Sequence, residues 1–290
     1  MTSKNFINKS VILHLTILLT LNSLLVLASK CPVVLEGECQ CKEIVEESVS
    51  GLRVECTQTT AKKLFNDIDL LRKSGKTIIG LQVRDSDLRE LSNLPSGLYN
   101  VHELILDNTG IDLETIRESN ELLKLLKKFR VYHENFTEIP EDFFLGMDEL
   151  KNLALNDIGI AYISKDAFSY LEDSLKQLEL RENKLRSFPI AIKVLSHLES
   201  LDLFGNEIKT VPDDLTFYLQ SSLKRLKRLT LNYINCTCDF GQTDFATWIR
   251  SHAIKGVTCK TPNRLFGKDI SVTPIEEFCE YVSNTQHKLL

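Results

Sequence analysis

The strongest constraint on this chain is an internal repeat. The pattern Leu-x-x-Leu-x-Leu-x-x-Asn-x-Leu is met in full by Leu175, Leu178, Leu180, Asn183 and Leu185, and again by Leu198, Leu201, Leu203, Asn206 and Ile208. Looser copies precede them: Ile78-Leu81-Val83-Leu88, Val101-Leu104-Leu106-Ile111, Leu126-Phe129-Val131-Phe136 and Leu150-Leu153-Leu155-Ile160. A last copy, Leu226-Leu229-Leu231, runs into a group of cysteines. The copies start at 78, 101, 126, 150, 175, 198 and 226, so successive starts lie 23, 25, 24, 25, 23 and 28 residues apart. A fixed period of this size marks stacked supersecondary units rather than one globular core.

The pattern dictates a geometry. Positions 4 and 6 alternate as in a strand and point inward. Positions 1 and 11 close over the same interior. One unit cannot bury its apolar face, so the units must stack. Stacking sets their strands side by side as a parallel sheet on the concave side of an arc, giving an α/β solenoid. The back halves, such as Ile139-Pro140-Glu141-Asp142-Phe143-Phe144 and Val211-Pro212-Asp213-Asp214-Leu215, are expected to fill the convex side. Asn at position 9 can satisfy backbone groups of its own and the neighbouring coil. Ser86, Thr109, Glu134, Ile158 and Ile234 stand there instead in five copies. Ser and Thr can partly replace the amide, but Ile158 cannot. This predicts local irregularity between about residues 130 and 165.

Eight cysteines fall in two clusters, Cys31, Cys39, Cys41 and Cys56 before the repeats and Cys236, Cys238, Cys259 and Cys279 after them. The start of the chain reads as a secretory leader: Lys4 and Lys9 in a polar segment, a mostly apolar run from Val11 to Leu27, and small residues near Ala28. Polar residues such as His14, Thr16, Thr20 and Asn22 interrupt that run, which argues against a membrane anchor. Even cysteine counts behind a leader imply disulfides, with three pairings possible per cluster. The Cys-x-Cys spacing and an oxidising compartment disfavour zinc. A net charge of −5, about −7 once the two leader lysines are gone, argues against nucleic acid as partner.

Open ends of a stacked array expose apolar surface and sheet edge, and the cysteine clusters lie where covers are needed. With Cys31-Pro32, Cys39-Gln40-Cys41 and Cys56 at one end, and Cys236-Thr237-Cys238-Asp239-Phe240, Trp248-Ile249, Cys259 and Cys279 at the other, the chain resembles the extracellular leucine-rich-repeat family with cysteine-rich flanking caps. The resemblance implies the pairings Cys31–Cys41, Cys39–Cys56, Cys236–Cys259 and Cys238–Cys279. It implies a leucine-rich-repeat solenoid, curved and with a parallel concave sheet, closed by disulfide-bonded caps at both ends. The expected organisation is a leader over 1–28, an N-terminal cap over 29–76, repeats over 77–231, a C-terminal cap over 232–282 and a polar tail over 283–290. Residues 57–77 lack a clear repeat and are expected to hold a helix from Ala61 to Lys73. The usual Asn-Pro-aromatic entry to the second cap is replaced by Asn232-Tyr233-Ile234-Asn235. Through Cys56-Thr57, a following Thr-Thr pair and Leu64, the layout is also similar to arthropod proteins related to the non-catalytic leucine-rich subunit of a decapod luciferase.

Function is expected on the concave strands, whose outward side chains form one surface. The candidate ligand-binding residues are Arg84, Asp107, Arg130, Tyr132, Asn156, Glu179, Arg181, Asp202, Phe204 and Tyr233. The three aromatics among them, Tyr132, Phe204 and Tyr233, are residue types enriched at interfaces. Sequons place candidate glycans at Asn135 and Asn235. Basic runs, Lys124-Lys127-Lys128-Arg130 and Lys224-Arg225-Lys227-Arg228, could bind a sulfated polysaccharide, although a charged outer face accounts for them as well. No zinc-protease, nucleophile or phosphate-loop motif is present, so no catalytic residue, metal or cofactor is expected. The expected partners are an extracellular protein ligand or, alternatively, the enzyme subunit of a secreted complex, with a homodimer possible and no membrane span after the leader.

Overall fold

The computed structural model describes residues 31–237 and 240–278, except for the side chains of 240–242. The expected leader, the polar tail, Cys238 and Cys279 lie outside the described residues.

Strands β1 (Glu38–Glu46) and β2 (Val49–Thr57) form an antiparallel hairpin, followed by helix α1 (Ala61–Lys73). The repeats contribute β3 (Ile78–Arg84), β4 (Glu103–Asp107), β5 (Lys128–Tyr132), β7 (Asn152–Asn156), β9 (Gln177–Glu179), β10 (Ser200–Asp202) and β11 (Arg228–Asn235). Two short strands, β6 (Glu138–Ile139) and β8 (Tyr162–Ile163), pair with each other past the turns. Helices α2 (Leu113–Arg117), α3 (Leu215–Ser221) and α4 (Phe240–Ser251) and strand β12 (Val257–Thr261) complete the described α-helices and strands, and short 3-10 turns join several of them. Among these residues one ten-stranded sheet runs β1-β2-β3-β4-β5-β7-β9-β10-β11-β12, and every pair from β2 onward is parallel.

The periodicity becomes burial. Position 4 (Leu81, Leu104, Phe129, Leu153, Leu178, Leu201, Leu229) and position 6 (Val83, Leu106, Val131, Leu155, Leu180, Leu203, Leu231) are at most 1% exposed throughout. Positions 1 and 11 close over them, from Ile78 and Leu88 to Leu198 and Ile208. Phe143, Phe144 and Phe168 fill the back of the middle coils, with ring centroids of Phe143 and Phe144 at 4.8 Å and of Phe144 and Phe168 at 5.8 Å. Aromatic pairs at such distances add to the area they bury.

The caps are coils of the same sheet. Val54, Cys56 and Ala61 hold positions 4, 6 and 11 of a coil ahead of the first repeat, all buried. Thr60 caps α1 by accepting from the Lys63 amide, and Arg72 and Lys73 close its last turn, where cations suit the carbonyl end. Disulfides join Cys31 to Cys41, Cys39 to Cys56 and Cys236 to Cys259. The fourth pairing implied by the resemblance, Cys238 to Cys279, falls outside the described residues.

Each strand leaves the concave face through one residue in the left-handed region. Position 8 holds Asp85, Asn108, His133, Asp157, Glu182, Gly205 and Tyr233, all at positive φ. Position 9 then accepts from the coil before it. Asn183 takes the Ile158 and Ile160 amides and donates to the carbonyls of Leu155 and Arg181. Glu134 takes the Thr109 amide (2.7 Å), the Thr109 hydroxyl (2.8 Å) and the Gly110 amide (2.9 Å). The irregularity predicted around Ile158 is absent: β5 and β7 pair without a register shift from Lys128/Asn152 to Tyr132/Asn156. The Ile158 carbonyl accepts the Phe136 amide at 2.7 Å, as the Thr109 carbonyl accepts Leu88. The main chain therefore supplies what the side chain cannot.

Candidate functional site

The register lines the concave side chains into rows that cross the strands. One row runs Arg53, Gly80, Glu103, Lys128, Asn152, Gln177, Ser200 and Arg228. A second runs Glu55, Gln82, Ile105, Arg130, Ala154, Glu179, Asp202 and Thr230. A third begins Thr57, Arg84, Asp107, Tyr132 and Asn156. It continues at the same repeat position through Arg181, Phe204 and Asn232.

The N-terminal half of this face is tied together by charge. Gly80 has no side chain, and Arg53 lies in the gap: a Cβ on Gly80 would meet the Arg53 Cγ and Nε at 3.4 Å. Arg53 thereby crosses a strand to reach Glu103 at 2.5 Å. Glu103, only 9% exposed in its side chain, also faces Arg130 at 3.8 Å. Glu46, near the hairpin tip, pairs with Arg53 (3.4 Å) and Lys128 (3.1 Å). Glu47 pairs with Lys127 and, at 3.0 Å, with Lys151. The tip thus reaches back over the strands to the third and fourth repeats. Hydrogen bonds from Lys127 and Lys151 hold the Glu47 carboxyl down at about 2. A hollow of about 240 Å³ lies beside this network, lined by Arg53, Gln82, Arg84, Glu103, Ile105 and Arg130.

The middle of the face, from β5 to β10, is held by shorter links. Asn156 donates to Glu179 (3.1 Å) and accepts the Arg181 amide (2.8 Å). Arg181 faces Asp202 at 3.7 Å and lies over the Phe204 ring, 5.6 Å from its centroid. Phe204 is 36% exposed, and Tyr132 is half-buried, with desolvation raising its hydroxyl pKa. At the rim beyond, His133 Nδ1 meets Asp107 at 2.6 Å, which raises the His133 pKa.

Nine of the ten candidate residues stand in the second and third rows. Tyr233 does not. It occupies the left-handed rim position after Asn232, and its ring stacks on Phe266 of the C-terminal cap with centroids at 5.6 Å. Asn232 takes the row position and accepts the Gly205 amide (2.9 Å). Sequence reasoning also passed over Arg53, Glu46 and Glu47, which lie outside the repeat, and gave Glu134 no part as an acceptor. The signal for Glu134 was its place at position 9. Of the sequons, Asn135 is exposed in a recess of about 550 Å³, whereas Asn235 is half-buried in β11 and accepts from the Thr261 hydroxyl at 3.0 Å.

A family model described as leucine rich repeat matches residues 150–208, two and a half of the seven coils. This is a leucine-rich-repeat solenoid. The solved structure of human 5T4 (Wnt-activated inhibitory factor 1, trophoblast glycoprotein) superposes with a TM-score of 0.53 over 69% of this chain and 77% of that one, at 21% identity, a likeness of fold. The human volume-regulated anion channel subunit LRRC8D is 28% identical over 159 residues, 52% of this chain and 17% of that protein. The mouse leucine-rich repeat-containing G-protein coupled receptor 4 is 30% identical over 122 residues, 42% of this chain and 12% of the receptor. The chain thus spans under a fifth of the length of these relatives. Among the described residues no helix is long and apolar enough to cross a membrane, and no three or more His, Cys, Asp or Glu gather as a metal site.

Proposed function

We propose that this chain is a secreted protein that binds an extracellular protein ligand through the middle of its concave sheet, from β5 to β10, and performs no catalysis. The observation that carries the reading is the arrangement of Phe204, Arg181, Asp202, Glu179, Asn156 and Tyr132 on adjacent strands, with exposed aromatic surface beside charges held in place by their neighbours. Interfaces are anchored by aromatics and arginines set in such surroundings. Arg84, Asp107 and Arg130 form the flank of the contact, and Tyr233 is left out because Phe266 covers one face of its ring. The disulfides favour an oxidising compartment. Asn135 is the sequon we assign a glycan, being exposed at the turn that leaves the sheet.

The test uses the secreted chain as bait against a panel of extracellular proteins, with a Tyr132→Ala/Phe204→Ala variant as comparator. The reading expects a partner whose affinity falls at least about tenfold in the variant, the size of loss typical of anchor residues. A partner held equally by both forms would place the contact elsewhere. Recovery from native fluid in fixed ratio with one enzyme would assign the chain instead as a scaffold subunit.

A further inference from the structure

The two rims of the concave sheet differ in charge. Where strands exit, the left-handed positions mix Asp85, Asp157 and Glu182 with His133, and Asp107 stands one residue earlier, in the row that holds Arg84 and Arg181. Where strands enter, position 2 of successive coils reads His102, Lys127, Lys151, Lys176, Glu199 and Lys227. Backbone bonds place these residues in adjacent coils: the Lys127 amide donates to His102, Lys151 to Lys127, Lys176 to Lys151, Glu199 to Lys176 and Lys227 to Glu199, all at 2.8–2.9 Å. Four lysines therefore stand in one line, one per coil at strand spacing of about 5 Å, broken by one acid. Lys128 and Arg228 lie one residue further along their strands, and Lys224 and Arg225 precede the last.

We propose that this entry rim is a binding site for a linear sulfated polysaccharide. Three observations carry it. The row is straight and evenly spaced, which suits a chain of repeated anions. It contains no aromatic or aliphatic anchor, whereas a protein contact would be built around one. The third is an anion already seated there: the Glu47 carboxylate from the hairpin tip bridges Lys127 and Lys151, and Glu46 takes Lys128. The hairpin occupies one end of the row, while Lys176, Lys224 and Arg225 make no ion pair among the described residues. The line of lysines on this rim attracts an anionic ligand to it. A polysaccharide entering from the last coil meets Lys176, Lys224 and Arg225 and competes with Glu199, which holds Lys227 at 3.1 Å, and then with Glu47. The site shares no residue with the aromatic concave surface, so it stands or falls separately from the protein-binding reading.

Binding of the full secreted chain to immobilised heparin, measured across a salt series, tests this. Lys151→Gln/Lys176→Gln/Lys227→Gln is expected to lower affinity about fivefold per lysine, near a hundredfold in all, and to flatten the salt dependence. Lys62→Gln/Lys165→Gln/Lys184→Gln, with the same change in net charge away from the rim, is expected to change it little. Glu46→Gln/Glu47→Gln is expected to raise affinity several-fold by clearing the occupied end, and more than Asp148→Asn/Asp166→Asn does. Equal losses in the two lysine variants, or native affinity in the rim variant, would overturn the site. Equal competition by non-sulfated hyaluronate or by duplex DNA would overturn the assignment to a sulfated polysaccharide.

Discussion

The two halves of this solenoid build the same coil from different parts. In the C-terminal half, Asn183 and Asn206 close the turns with amide side chains that both accept and donate. In the N-terminal half, Ser86, Thr109, Glu134 and the Ile158 carbonyl do so, and the strands still pair in register. The concave surfaces differ more. The N-terminal half is crossed by a hairpin tip whose acids tie three lysines and Arg53, and among the described residues the C-terminal half has no such strap. The solenoid needs an acceptor at each turn and is indifferent to which group provides it, since an unmet buried amide is what costs free energy. Side chains on the outer rows face no such demand and are free to diverge into different surfaces.

The largest expected effect tests that statement at the turns. Asn183→Ala removes the acceptor for two amides and the donor to two carbonyls in a site that is 4% exposed, and should cost roughly 3 kcal/mol in denaturant unfolding. Glu134→Ala strands two amides and a hydroxyl but in a half-buried place that water can enter, so about 1–2 kcal/mol is expected. Glu134→Asn should recover part of that loss. If Glu134→Ala costs as much as Asn183→Ala, the turns of the two halves are equally dry and the contrast between them fails.

Legibility in the sequence follows the same divide. Positions 1, 4, 6 and 11 could be read because an apolar period survives any choice among Leu, Ile, Val and Phe. The helix from Ala61 to Lys73 was read from its place, and the structure shows it capped by Thr60. The consequence drawn from Ile158 was not correct, because sequence patterns count side-chain acceptors and a carbonyl leaves no trace in them. Tyr233 was misplaced by one step of register, where the last coil merges with the cap. The strap over the N-terminal half was hidden because Glu46 and Glu47 meet lysines about 80–100 residues away, a distance set only by the number of coils between them. That strap also brought an anion to the basic run, for which the sequence had left open both a sulfated-polysaccharide patch and an ordinary charged face.

The charge network of the N-terminal half should matter less than its turns. Gly80→Val places a side chain where Arg53 crosses and should cost about 1 kcal/mol, since exposed ends discount the pair even though Glu103 is nearly buried. In an Arg53→Met background the same change should cost clearly less, and a double-mutant cycle measures that coupling. Additive losses would mean that Gly80 is needed for backbone reasons alone.

Acid loosens the strap at a pH that its carboxylate sets. Because the Glu47 pKa is lowered to about 2, its contribution to docking is complete above the ordinary carboxylate range near 4.5 and is lost as pH falls toward 2. Hydrogen exchange at Glu46–Val49 should therefore stay slow at pH 5 and rise steeply near pH 2 beyond the intrinsic rate, and Glu47→Gln should show the fast behaviour at both. Equal protection in the two proteins at pH 5 would show that the tip is held by its turn and not by the lysines.

The smallest effect separates the exit rims of the two halves. His133 sits between Asp107 and Asp157, and the hydrogen bond to Asp107, reinforced by the charges of Asp107, Asp157 and Asp85, raises its pKa above 6.5. A raised folded-state pKa makes the stabilisation complete below the unfolded value near 6.5 and removes it as pH climbs through the folded value. Native and His133→Gln proteins should then differ more at pH 5.5 than at pH 8, by a few tenths of a kcal/mol because the ring is well exposed. The C-terminal half carries Glu182 and Gly205 at the equivalent positions, so Glu182→Gln should show no such change over that interval. A difference that grows toward pH 8 would mean that the neutral imidazole is the bonded form, donating to Asp107 as a fixed tautomer, and the rim would then hold its shape without a proton switch.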